Sequence, residues 1–280
     1  MDVLNEWFGV RDKIFTSHLK PTFVLGGVDS GKTTFVAWLA NQGVKRGKVI
    51  GIIDADVGQS DIGPPATIGL GIIKEEVEEL SLIEPISLYF VGDISPEGHL
   101  VDMIVGTKKL FDKALENKVD NVIIDTTGLI QNKVGQVLKS GKIKNIGSGH
   151  IIGIQRKNEI EHILKPFEVL SEYMVYRIPV SSQVISISKE KRACLRNKRF
   201  ASYFKNSSKF ELLFSEITTL NTSFLSGQKL PNSRLNRYEK ELDEIILYGE
   251  LTNQGPLLVV SNGTSAIEFE QSLIESRGYV

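Results

Sequence analysis

Cysteine is nearly missing from this chain: Cys194 is the single one in 280 residues. An internal disulfide is therefore excluded, and a reducing compartment is the natural setting. An excess of charge is missing too. Lys and Arg total 33 against 34 Asp and Glu, a formal net charge of −1. Bulk electrostatics therefore draws the chain to neither nucleic acid nor membrane, and a polyanion site has to come from a local concentration of basic residues. No apolar run approaches the ~20 residues that a bilayer span needs. The opening MDVLNEWFGVRDKIF carries Asp2 and Glu6, with neither a basic start nor a long apolar stretch. It does not read as a signal peptide, and the expectation is a cytoplasmic protein with no membrane partner. The four histidines (18, 99, 150, 162) lack metal-ligand spacing, and no G-x-S-x-G occurs.

What is present suits a globular protein with a sizeable core, at 41% hydrophobic and 24% charged residues. From about residue 21 to 187, short apolar runs such as TFVLG (22–26), KVIGIID (48–54), ISLYFVG (86–92), NVIIDTT (121–127) and HIIGIQ (150–155) alternate with amphipathic stretches. Val- and Ile-rich strands with helices between them predict an α/β fold, its mainly parallel sheet covered by helices on both faces. Residues 1–20 read as a cover packed through Trp7, Phe8 and Phe15. Past residue 205 the pattern changes to short strand-like runs (ELLF, EIILYGEL, PLLVVSNG) around a polar stretch, LSGQKLPNSRLNRYEKE. That predicts a P-loop domain over 21–205 and a small β-rich C-terminal domain over 206–280.

The segment GGVDSGKTT, residues 26–34, matches G-x-x-x-x-G-K-[ST] between a predicted strand and a predicted helix. Gly26, Gly27, Val28, Asp29, Ser30, Gly31, Lys32, Thr33 and Thr34 form a loop whose N–H groups cradle phosphate. Lys32 then reaches the β- and γ-phosphates, and Thr33 holds Mg²⁺. The next strand delivers Asp54 and Asp56 to the carboxyl edge of the sheet, where ligands bind. Two carboxylates there either hold metal-bound water or take a proton from an incoming hydroxyl, unless they merely solvate a turn. Asp125, closing NVIID, is a third acid placed to support Mg²⁺.

KEKRACLRNKRFASYFKNSSK, residues 189–209, holds eight basic residues and one acid. On a helix Arg192, Arg196 and Arg199 share a face. Such a row either clamps a transferring phosphoryl group, grips a polyanion, or is a solvated charged face. Phe200, Tyr203 and Phe204 are expected to pack the helix down. KVGQVLKSGKIK (133–144), with four lysines and no acid, is a second candidate basic patch.

The order of GGVDSGKTT, DADVGQSDIGPPATIGL, YFVGDISPEGHL, DTTGLI and Arg192–Arg196 resembles the polynucleotide 5′-hydroxyl kinase family. That family includes the RNA kinase subunit of the mRNA 3′-end cleavage machinery, rRNA-processing kinases and small prokaryotic members. The resemblance covers about residues 22–205. It implies ATP or GTP as donor, Mg²⁺, and the 5′-hydroxyl end of RNA or DNA as acceptor. It also implies Asp56 as general base, Lys32 at the phosphates, Arg192 and Arg196 as lid arginines, and Gln59, Thr126 and Gly128 on the substrate side. Where eukaryotic members stack a tryptophan after that glycine, this chain has Leu129. An NTPase switch acting on a protein and a non-catalytic nucleotide-binding scaffold share the loop and stand as alternatives.

Overall fold

The computed structural model describes residues 3–18, 21–208, 229–243, 245–252, 255–261 and 265–269. The chain divides into two compact units, Met1–Phe204 and Lys205–Val280. The first is built on a seven-stranded sheet of order β4-β3-β2-β5-β1-β6-β7. Its strands are β1 (Pro21–Gly26), β2 (Ile50–Ala55), β3 (Thr67–Ile73), β4 (Ser87–Phe90), β5 (Asn121–Thr126), β6 (Gly149–Gln155) and β7 (Tyr173–Pro179). β2, β5, β1, β6 and β7 run parallel, while β3 is antiparallel to both β2 and β4. The sheet is thus mostly parallel, as the Val- and Ile-rich runs predict. The reversal at β3 has a chemical cause: the chain returns from β2 through GQSDIGPP with no helix long enough for a parallel crossover.

The central strands are buried along their whole length, so both faces must be covered. Successive side chains divide between two cores. Phe23 and Leu25 join Met103, Leu110, Phe111, Leu138 and Leu164 on the face covered by α3 (Leu100–Glu116), α4 (Asn132–Ile146) and α5 (Glu161–Glu168). Val24 joins Trp7, Ile14, Phe35, Trp38 and Leu39 on the face covered by α1 (Asn5–Thr16) and α2 (Lys32–Val44). α3 is a clear case of sequence dictating placement. Its buried residues Met103, Gly106, Thr107, Leu110, Phe111 and Ala114 fall at helical i, i+3, i+4 spacing. The α1 cover holds through aromatic edges: Trp7 meets Phe35 at 5.0 Å and 90°, and the half-exposed Phe8 meets Trp38 at 5.6 Å.

β6 carries one ionisable side chain into the core. His150 is fully buried, 3.3 Å from Tyr176 Oη through Nδ1, and burial pushes its pKa down to about 4. Its folded value lies below its unfolded one, so between about pH 4 and 6.5 the unfolded chain holds the extra proton. The contribution is full above that window and is lost as pH falls through it, with a slope of at most about 1.4 kcal/mol per pH unit. His150→Leu should flatten that part of the stability profile, read as the difference between the two proteins in urea melts at pH 7 and pH 4.5.

In the second unit α7 (Asn232–Leu242) precedes three antiparallel strands, β8 (Ile246–Thr252), β9 (Gly255–Ser261) and β10 (Ser265–Phe269). Leu230, Ile246 and Leu258 form its small core with Leu235 and Tyr238. The polar stretch between the expected strands is therefore partly helical, with Leu235 and Tyr238 three residues apart on its packed side. The expected ELLF run lies outside the described residues. Among the described residues no helix is long and apolar enough to cross a membrane.

Candidate active site

β1 ends at Gly26, and the chain turns through residues 27–31 into α2, whose first turn is open to the cleft. Gly31 makes the turn at φ +84°, a conformation that a side chain disfavours. Lys32 folds back over the loop, its Nζ donating to Gly27 O at 2.8 Å, and Ser30 Oγ donates to the same carbonyl at 2.9 Å. Val28 to Thr34 line a cleft of about 1130 Å³. That is room for a nucleotide and part of a second substrate, since single-ligand pockets run to roughly 1,000 Å³.

The β1–β5 pairing sets Val24 beside Asp125, and Thr33 Oγ1 donates to Asp125 Oδ2 at 2.7 Å. The other oxygen, Oδ1, is buried without a hydrogen-bond partner. Burial pushes the Asp125 carboxyl up to about 6, against the pull of the Lys32 charge and the Thr33 hydroxyl. A hydroxyl and a carboxylate with a spare buried oxygen, next to a phosphate loop, fit a hard divalent cation. Among the described residues no cluster of three or more His, Cys, Asp or Glu is shaped to hold a metal alone. Mg²⁺ keeps few protein ligands and takes the rest from phosphate and water.

Asp54, expected beside the metal, sits next to Asp125 in the sheet and is bonded to its own loop. It is buried and does not line the cleft. Its Oδ1 accepts from Asp56 N at 3.0 Å, and its Oδ2 accepts from Ser60 Oγ at 3.3 Å, Ile62 N at 3.0 Å, and Asp61 N. With four donors satisfied, Asp54 is the hub that shapes the 56–62 loop. Burial and the neighbouring Asp125 push it up to about 7, against those backbone donors. Asp56, by contrast, lines the cleft. Its Oδ1 accepts from Gly58 N and Gln59 N, both at 3.2 Å, and Oδ2 carries no hydrogen bond among the described residues. Gln59 also lines the cleft, its Nε2 donating to Gly58 O at 2.7 Å.

Gly128 lines the cleft but Thr126 does not. Strand pleating turns Thr126 away from Asp125, and its Oγ1 donates to Val24 O at 2.8 Å. Thr127, between them, is the threonine that lines the cleft, though it is buried and its hydroxyl is turned to Lys139. No sequence signal separated the two threonines, because either fits a polar residue before a glycine.

The basic segment forms α6 (Lys189–Tyr203), capped by Ser188 Oγ accepting from Lys191 N at 3.3 Å. Arg192, Arg196 and Arg199 all line the cleft. Arg192 bonds the P-loop Asp29 carboxylate at 2.6 Å, and Arg156 bonds the Asp29 carbonyl at 2.7 Å. Arg199 bonds the Asp61 carboxylate and Ser60 O. Burial pushes Asp61 up to about 6 in spite of Arg199. Arg196 has no hydrogen bond or ion pair among the described residues. The sequence placed the arginines on one face but said nothing of Asp29 and Asp61 as their partners.

α6 has no fully buried residue: of its expected packing aromatics, Phe200 is partly buried while Tyr203 and Phe204 are half exposed. One expectation fails: the 133–144 lysines do not make a surface patch. Lys139 and Lys142 are fully buried on the inner face of α4, with Gly135, Leu138 and Ile143, while Val134 and Val137 face outward.

A phosphate loop at the head of α2, two flanking carboxylates and an arginine-bearing helix over one cleft define a P-loop nucleotide-binding protein. The family described as mRNA cleavage and polyadenylation factor CLP1 P-loop matches residues 26–206, and this chain belongs to it. The polyribonucleotide 5′-hydroxyl-kinase of Methanocaldococcus jannaschii is 40% identical over 226 residues, covering 81% of this chain and 62% of that protein. The kinase of the same name from Pyrococcus horikoshii is 34% identical over 259 residues, covering 89% and 70%. The chain therefore spans about two thirds of the length of these relatives. A solved structure of Clp1p with Pcf11p shares the fold at a TM-score of 0.60 and 14% identity, over 75% of this chain and 56% of that one.

Proposed function

We propose that the chain is a polynucleotide 5′-hydroxyl kinase that moves the γ-phosphate of ATP or GTP to the 5′-hydroxyl end of RNA. The observation that carries this is Asp56. One of its oxygens is pinned by two backbone N–H groups and the other is left free, in the cleft that also holds Lys32, Thr33 and Arg196. The curated relatives named polyribonucleotide 5′-hydroxyl-kinase support the same reading and favour RNA over DNA as acceptor.

In this reading the P-loop N–H groups and Lys32 bind the phosphates. Thr33 and Asp125 would hold Mg²⁺, which supplies charge neutralisation at the phosphates. Asp56 takes the proton of the 5′-hydroxyl as its oxygen bonds to the γ-phosphorus; the bond to the bridging oxygen breaks, and the nucleoside diphosphate leaves. Arg192 and Arg196 stabilise charge on the transferring group. Gln59 and the Thr127–Gly128 turn border the acceptor.

The test uses γ-labelled ATP or GTP, Mg²⁺, and RNA and DNA oligonucleotides ending in 5′-hydroxyl or 5′-phosphate. Label on the 5′-hydroxyl RNA alone is expected. Free phosphate with no labelled oligonucleotide overturns the proposal. In the same assay Arg196→Ala should lower kcat about 10³-fold, as the loss of a transition-state arginine does, with nucleotide affinity nearly unchanged.

A further inference from the structure

α4 turns two lysines inward, and one of them, Lys139, is tied to the cleft wall. Lysine is among the residues least often fully buried unless paired, yet Lys139 is wholly buried, and its Nζ donates both to Thr127 O and, at 3.0 Å, to Thr127 Oγ1. Burial and the neighbouring Lys142 push its pKa well below the ordinary lysine value. Either form of the amine has at least two N–H donors, and Thr127 supplies two acceptors.

We propose that Lys139 is a positioning residue: it fixes the Thr127–Gly128 turn in the place where the 5′ end of the acceptor is received. This rests on the kinase reading above.

Three observations converge on that turn. Thr127 and Gly128 line the cleft while the side chain holding them does not. On its other side the turn is pressed against the P-loop, where a Cβ on Gly128 would lie 2.5 Å from Val28 Cγ2 and 2.9 Å from Val28 N. Further along the loop, Ile130 O lies 3.0 Å from His162 Nε2, so that end has its own anchor. Lys139 is the one side chain that bonds Thr127 among the described residues. Removing it frees the Thr127 carbonyl and hydroxyl together, leaving two buried acceptors unpaired, and the turn then rearranges to find donors. The P-loop keeps its internal bonds from Lys32 and Ser30 to Gly27 O. The defect therefore falls on the acceptor side of the cleft, not on the nucleotide side.

The experiment is Lys139→Met in the full chain, a substitution close in shape that cannot donate, with Lys139→Gln as a partial rescue that also serves should the methionine variant not fold. Amide hydrogen exchange of residues 127–130 and 26–34 is followed without nucleotide, where activity plays no part. Acceptor KM and the affinity for a fluorescent non-hydrolysable ATP analogue are then measured. In Lys139→Met, exchange at 127–130 should quicken while 26–34 stays as in the wild type. Acceptor KM should rise about tenfold, in line with the loss of a buried hydrogen-bonding pair, with nucleotide affinity within about twofold. Lys139→Gln should fall between. Lys142→Met, one turn along the same buried face, should match the wild type in all three readings. Unchanged exchange and KM in Lys139→Met overturn the proposal, as does an equal loss of nucleotide affinity. Should the wild-type protein label no 5′-hydroxyl end, the kinase reading falls by itself, and exchange at 127–130 still decides whether Lys139 holds the turn.

Discussion

Asp56→Asn should abolish measurable phosphoryl transfer while leaving nucleotide binding intact. The reason lies in how the carboxylate is held. Oδ1 accepts from Gly58 N and Gln59 N, and an asparagine carbonyl oxygen accepts the same two bonds. The loop therefore keeps its shape, and what is lost is basicity at the free oxygen. Loss of a general base costs about 10²–10⁴ in rate. Nucleotide contacts come from the P-loop, so affinity for an ATP analogue should move less than about twofold, since Asp56 takes no part in uniform binding. Single-turnover transfer from labelled nucleotide to a 5′-hydroxyl oligonucleotide, alongside analogue titration, separates the two quantities. Transfer within tenfold of wild type would remove Asp56 from the role of base.

Gly69→Ala should damage the protein as much, by a different route. Gly69 lies in β3, paired with Asp54 across the sheet, and a Cβ there would sit 1.9 Å from Ile62 O and 2.8 Å from Ile62 C. These are backbone atoms and cannot swing aside. Ile62 is also fixed at both ends of its residue, by its N–H on Asp54 Oδ2 and by a fully buried side chain. The loop must lift, and Asp56 and Asp61 go with it. Overpacking of this kind costs about 3 kcal/mol, the upper part of the usual range. For a unit of this size that is a drop in Tm of roughly 10 °C. Thermal melts would show it, and transfer should fall even at temperatures where the variant is folded. A variant that melts like the wild type would mean that β3, not the loop, yields.

The phosphate loop and the parallel core strands were legible because each is a local pattern: a glycine spacing, and Val- and Ile-rich runs between amphipathic stretches. The arginine row was legible for the same reason, as a period of about 3.6. Other features depend on contacts that sequence order hides. Asp54 and Asp56 are two residues apart and chemically alike, yet one is consumed by four donors of its own loop and the other faces the cleft. Only the return through Gly69 decides which is which. Thr126 and Thr127 exchange roles through a single step of pleat. α4 misled more thoroughly. Its four lysines read as a basic patch, but Lys139 and Lys142 face in while Val134 and Val137 face outward. The residues that fix the phase are Gly135, Leu138 and Ile143, whose i, i+3 and i+8 spacing is the only trace of it in the sequence.

The helix α6 has a property that follows from its lack of any buried residue. A helix seated on a core gives up apolar contact whenever it lifts, and water resists the move. This one has no residue of that kind, and two of its arginines are tied by ion pairs, Arg192 to Asp29 and Arg199 to Asp61. Each of those carboxylates can trade its arginine for a hydrated counterion, and each arginine can trade its carboxylate for a phosphate. At these two contacts a change of partner is therefore an exchange of one anion for another. Contacts of that kind weaken as the ionic strength around them rises, which packing on a core does not do.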